Sequence, residues 1–131
     1  MNDFGLLIGR LAVAPMFLIA GWGKLGWPPG AGITGLLATK GFPLPGLLAA
    51  GITALEIVAP ILLIVGVLTR WAAAGLALFT LSTIFVVHAW WNYPEAQQSL
   101  QQLFALKNLA IGGLLVLIVL AGSGRYALKR D

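Results

Sequence analysis

Four long apolar stretches constrain this chain more than any other feature. They run over about residues 4–26, 46–68, 71–91 and 103–121 of a 131-residue sequence. Each is close to the roughly 20 residues that an α-helix needs to cross a hydrocarbon core of about 30 Å. A helix at the edge of a water-soluble core needs only one apolar stripe, whereas these stretches are apolar nearly all round. Only 9% of the residues are charged, against about 25% in a soluble domain. The pattern predicts an all-α fold, an integral membrane four-helix bundle forming a single transmembrane domain over residues 1–131.

The breaks between the stretches fit this reading. Gly26-Trp27-Pro28-Pro29-Gly30 ends the first span, because paired prolines flanked by glycine cannot continue a helical ladder. Residues 33–39 read as a short interfacial turn before Lys40-Gly41-Phe42-Pro43-Leu44-Pro45. Thr69-Arg70 turns tightly into the third span. Asn92-Tyr93-Pro94-Glu95 opens a polar connection, and its proline and acid suit the start of a helix running into the fourth span. The first stretch lacks a basic start and carries Arg10, so it reads as a retained span, not a signal peptide.

Charge placement gives an orientation. Four spans put both termini and the Thr69-Arg70 turn on one side, with Arg70, Arg125, Lys129 and Arg130, joined by Arg10 if its side chain snorkels outward. Lys24, Lys40 and Lys107 mark the other side. The excess places both termini in the cytoplasm. Trp27, Trp90, Trp91 and Tyr93 gather near one interface as an aromatic belt, with Trp91 also a candidate ligand contact. Gly5 with Gly9, and Gly112 with Gly113, offer close helix packing and a route to a homo-oligomer. With no cysteine, thiolate metal sites, iron–sulfur clusters and disulfides are excluded. One histidine alone makes a poor metal site, so no metal is expected. No basic run points to nucleic acid.

Ionisable residues inside a span are costly and usually face the bundle interior. Counted from the side of the termini, Arg10 lies about 9 Å deep, Glu56 about 16–18 Å, His88 about 25 Å and Lys24 about 30 Å. Lys107 and Asn108 enter from the far side. Arg10 is therefore a candidate ion-pair partner of Glu56. Glu56, His88, Lys107, Asn108, Lys24 and Trp91 outline a candidate pocket for a quinone or similar lipophilic ligand, in which Glu56 accepts or relays a proton.

At these residues the chain resembles the DoxX family of small bacterial membrane proteins. The match runs through Arg10, Phe17, Gly21 and Lys24 (R-x6-F-x3-G-x2-K), Gly41-Phe42-Pro43-Leu44-Pro45, Glu56 with Pro60, and Gly66-Val67-Leu68-Thr69-Arg70. His88-Ala89-Trp90-Trp91 and the segment Phe104 to Gly113 complete it. Gly122-Ser123-Gly124 keeps the glycines of the family's closing segment but lacks the Ser-Leu-Asp that often follows them. The resemblance implies a four-helix bundle in the bacterial inner membrane. Some relatives are subunits of thiosulfate:quinone oxidoreductase, and others are linked to redox complexes. From this follows the leading expectation, an accessory, redox-associated subunit of a quinone-linked oxidoreductase with a partner protein that handles electrons. Two other classes remain open: a non-catalytic scaffold in which the polar residues fix packing, and a small-solute or proton-coupled transporter built around Glu56.

Overall fold

The computed structural model describes residues 2–25 and 30–131. The breaker at 26–29, with Trp27, lies outside them. Among the described residues, five α-helices follow one another: α1 Asp3–Lys24, α2 Ala31–Thr39, α3 Pro45–Val65, α4 Thr69–Val86 and α5 Glu95–Ala121. A single 3-10 turn, Trp90–Asn92, joins α4 to α5. Among the described residues, four helical stretches are long and apolar enough to cross a membrane. The all-α membrane bundle expected from the sequence is what the structure shows.

The four spanning helices form a ring in the order α1, α3, α4, α5, with α5 closing back on α1. α1 and α4 sit across one diagonal and α3 and α5 across the other. Consecutive spans run antiparallel, so the N-terminal end of α1 lies beside the C-terminal ends of α3 and α5. The outer faces are apolar. Ile19, Trp22, Leu47, Trp71, Leu78 and Leu120 are all exposed, as expected where the surrounding solvent is hydrocarbon.

The interior is divided along its length. The half nearer the termini is filled by Val13, Leu63, Ala73, Leu76, Leu115 and Ile118, all buried. Small residues on α4 (Ala72, Ala73 and Ala77) let that helix approach its neighbours closely. The half away from the termini holds the polar residues discussed below.

Three boundaries depart from the expected ones. Residues 33–39 are part of a nine-residue helix rather than a turn. The α-helix of the third span ends at Val86, not at residue 91. There the amides of both Val87 and His88 donate to the Thr83 carbonyl (2.8 and 2.9 Å), which uses up the ladder. The Tyr93 hydroxyl then donates to the freed Val87 carbonyl at 2.5 Å. Finally, α5 begins at Glu95 and has 27 residues, or about 40 Å of helix. Its first two turns, rich in glutamine, exceed the hydrocarbon thickness. Of the paired glycines, Gly112 is occupied inside the bundle, where a Cβ would meet the Leu81 side chain, while Gly113 faces open space.

Behind α5 the chain folds back against the bundle. Leu128 and Lys129 donate backbone N–H groups to the carbonyls of Val65 (2.9 Å) and Gly66 (3.2 Å). The Asp131 carboxylate accepts from the Arg70 amide (3.1 Å) and the Ser123 amide (3.2 Å). Arg125 N–H donates to Asp3 Oδ1 at 3.1 Å. These bonds seal the end of the bundle where the termini lie.

Candidate functional site

One face of α1 sets up both polar centres of the interior. Arg10, Val13, Ala14, Phe17 and Gly21 are buried at helical spacing, and Lys24 continues the same stripe. Gly21 is the point of closest approach to α3. A Cβ there would lie 2.9 Å from Ile57 Cγ1 and 3.0 Å from Glu56 Cβ, so only glycine lets the two helices meet at the level of Glu56.

Lys24 lies one turn beyond that contact. Its Nζ donates to Glu56 Oε1 at 2.5 Å, forming the single ion pair among the described residues. Glu56 is buried, while Lys24 is partly accessible. The ammonium also sits 5.9 Å from the centroid of the Phe79 ring.

The expected pairing of Arg10 with Glu56 is not formed. Arg10 is buried but donates only to backbone carbonyls: Leu63 (2.8 Å), Ser123 (2.6 Å), Tyr126 (2.9 Å) and Ile64 (3.3 Å). The reason is directional. Side chains on a helix lean toward its N-terminus, so Lys24 reaches back toward Glu56 and Arg10 reaches away from it. Leu63 also stands seven residues beyond Glu56 on α3, about 10 Å along the axis. Nor does Arg10 snorkel outward, so it adds nothing to the charge count that orients the protein.

Above the packed half, the helices line a partly open cavity of about 470 Å³. Lys24, Glu56, His88, Lys107 and Asn108 all line it, together with Thr80 and Thr83 of α4. Apart from Ser82, its remaining wall is apolar and includes Met16, Phe17, Ile52 and Phe79. Five of the six residues outlined from the sequence thus meet around one space. The sixth does not line it. Trp91 is half exposed on the 3-10 turn, edge-on to Trp90 (5.9 Å) and Phe85 (6.3 Å).

Most polar groups of the cavity are held in place. Asn108 Nδ2 donates to Thr83 Oγ1 at 2.8 Å, and Thr83 donates to the Thr80 carbonyl at 2.6 Å. His88 Nδ1 lies 2.9 Å from Gln101 Oε1, and the imidazole packs 5.4 Å from the Phe104 ring. With the Gln101 oxygen accepting, a neutral His88 carries its proton on Nδ1 and leaves Nε2 as an acceptor. The Lys107 ammonium lies 5.2 Å from the Phe104 centroid. Thr80 is the exception. Its hydroxyl is buried and has no hydrogen-bond partner among the described residues, a costly arrangement unless something in the cavity supplies one. Thr80 was not among the residues expected from the sequence, since a threonine on an apolar helix carries no spacing signal. No group of three or more metal-ligating side chains occurs among the described residues.

The family model described as DoxX matches residues 5–89. The chain is also similar to the inner membrane protein YqjF of Escherichia coli (strain K12), 33% identical over 99% of this chain and 93% of that protein. The inner membrane protein YphA of the same organism is 32% identical, over 98% of this chain and 94% of that protein. No solved structure matches the chain. With its four apolar spans and this kinship across its whole length, the chain is a multi-pass inner-membrane protein and belongs to the DoxX family.

Proposed function

We propose that this protein is a redox-associated membrane subunit that holds a quinone, or a ligand of similar lipophilic and oxygen-bearing character, in the cavity around Glu56. The observation that carries this reading is the cavity itself. A mostly apolar wall encloses a few convergent polar groups, including the buried Thr80 hydroxyl that lacks a partner among the described residues. Its volume falls within the roughly 300–1,000 Å³ of small-molecule sites, whose lining is typically of this kind.

The donor set fits such a ligand. Ring carbonyl oxygens only accept hydrogen bonds. Lys24, Lys107, the Asn108 amide and the Thr80 hydroxyl can donate to them. A quinone, when bound, supplies the electron-accepting and electron-donating chemistry. The chain's own part is to bind and orient the ring, exclude water and hold a proton. Among the described residues, Glu56 is the only carboxylate lining the cavity, and it already shares a hydrogen bond with Lys24. It is the group to take up or release a proton at the ligand. In this reading a partner subunit exchanges electrons with the bound ring.

The test is a titration of the purified protein in nanodiscs with a short-chain quinone analogue, comparing the native chain with Glu56→Gln and His88→Ala. Saturable binding that weakens in both variants supports the proposal. Equal, non-saturating uptake by all three overturns it.

A further inference from the structure

Beside the Glu56 cavity lies a second space, an open groove of about 460 Å³ lined by Lys40, Phe85, Ala89, Asn92 and Tyr93. Phe42 and Val86 belong to the walls of both. They form the partition between the two spaces. Val86 is the last residue of α4, and Phe42 follows α2.

The two ends of α2, on one side of this partition, differ in how closely they are packed. At its start, Gly30 (φ 85°) packs so closely on α3 that a Cβ would collide with the Ala49 carbonyl. At its other end Gly41 (φ 82°) has nothing within 4 Å of the same position. Gly41 ends α2 in a Schellman arrangement: its N–H donates to the Ala38 carbonyl, and the Phe42 N–H donates to the Leu37 carbonyl, each at 3.1 Å. Phe42 is thereby tied to the C-terminal end of α2. Leu37 lines the Glu56 cavity, so displacement of this end opens the cavity wall.

The two chambers also share their chemistry. Lys40, Phe42 and Phe85 line the groove, and inside, the Lys24 ammonium stands 5.9 Å from the Phe79 ring. We infer that the groove is the entry subsite for the lipophilic ligand of the inner cavity, and that Phe42 is the movable partition through which the ligand passes. This rests on reading the inner cavity as a ligand site. A ring carrying carbonyl or hydroxyl oxygens meets a cation and an aromatic face at both stations.

The chain has no cysteine, which permits a direct test. A Thr80→Cys variant places one thiol inside the cavity. Its labelling rate with N-ethylmaleimide in nanodiscs is measured with Phe42 intact, with Phe42→Ala and with Phe42→Trp. The expected result is labelling severalfold faster with alanine and severalfold slower with tryptophan. A thiol at Gln102→Cys, on the exposed start of α5, should react at one rate in all three. Equal rates at the cavity thiol overturn the partition, whether or not the cavity takes a quinone. If a Phe42 variant does not fold, Val86→Ala and Val86→Trp make the same comparison from the α4 side. Labelling that follows residue 42 without any saturable quinone binding leaves the partition standing and removes the quinone. If the quinone analogue does bind, a partition moves its association and dissociation rates together and leaves Kd unchanged. A change in dissociation alone makes Phe42 an ordinary wall contact and overturns the inference.

Discussion

Arg10 and Ser123 are joined by a hydrogen bond of 2.6 Å from the guanidinium of the first span to a carbonyl behind the last. Together with its bonds to Leu63, Ile64 and Tyr126, this makes one side chain the fastening between three parts of the chain. Arg10→Lys should loosen it, since an ammonium cannot reproduce a planar fork of donors. Arg10→Met leaves the buried carbonyls unpaired and should lower stability by about 3 kcal/mol, with hydrogen bonds to a charged group worth roughly 1.5–3 kcal/mol each. Hydrogen exchange reads the effect directly. The amides of Leu128 and Lys129, which donate to Val65 and Gly66, should lose protection in both variants, and full protection would contradict the fastening role.

The Lys24–Glu56 pair should behave as a unit. Lys24→Met alone leaves a buried carboxylate without its cation and should cost roughly 3–5 kcal/mol. Lys24→Met combined with Glu56→Met should recover most of that loss. Unfolding of the two single variants and the double variant in one detergent measures the coupling, and additive losses would mean that the two residues do not interact.

Gly21→Val tests the helix contact beneath that pair. With Ile57 and Glu56 so close, the added carbons should cost about 1–3 kcal/mol, as overpacking usually does. Gly23→Val on the same helix meets nothing within 4 Å and should be near neutral. Similar melting of the two variants would argue against the close approach.

Thr80→Val separates stability from binding. Removing a buried hydroxyl that lacks a partner should leave the ligand-free protein unchanged or stabilise it by about 1 kcal/mol. The same change should weaken quinone-analogue binding. Marked destabilisation without ligand would show that the hydroxyl is already satisfied.

The orientation can be read with reporters. Fluorescent-protein fusions at either end should fluoresce in cells, and alkaline phosphatase fused at the same points should be inactive. Phosphatase activity at either end would reverse the proposed topology.

Hydropathy makes the four spans legible, because a run of about 20 apolar residues matches the hydrocarbon thickness and exceeds what one buried stripe requires. It also brings Lys24, Glu56, His88, Lys107 and Asn108 to neighbouring depths. What it lacks is direction. Depth ranks residues along the membrane normal, whereas partner choice depends on which way each side chain leans from its helix. Depth alone therefore pairs Arg10 with Glu56, and places Lys24 among the cavity residues without naming its partner. The tail is invisible for another reason. Residues 122–131 are held largely by backbone N–H and carbonyl groups, which every sequence possesses. Trp91 reads as a pocket residue when the third span is drawn as straight helix. Once α4 ends at Val86, the chain carries that ring around the corner.

The apolar layer of Val13, Leu63, Leu76 and Leu115 gives the molecule a floor. Below it lies the sealed end, and above it lies the chamber that the polar side chains share. A monomer built this way is a cup closed at the end where the termini lie. Under the proposed function, a guest of this chamber has to depart before the next can take its place.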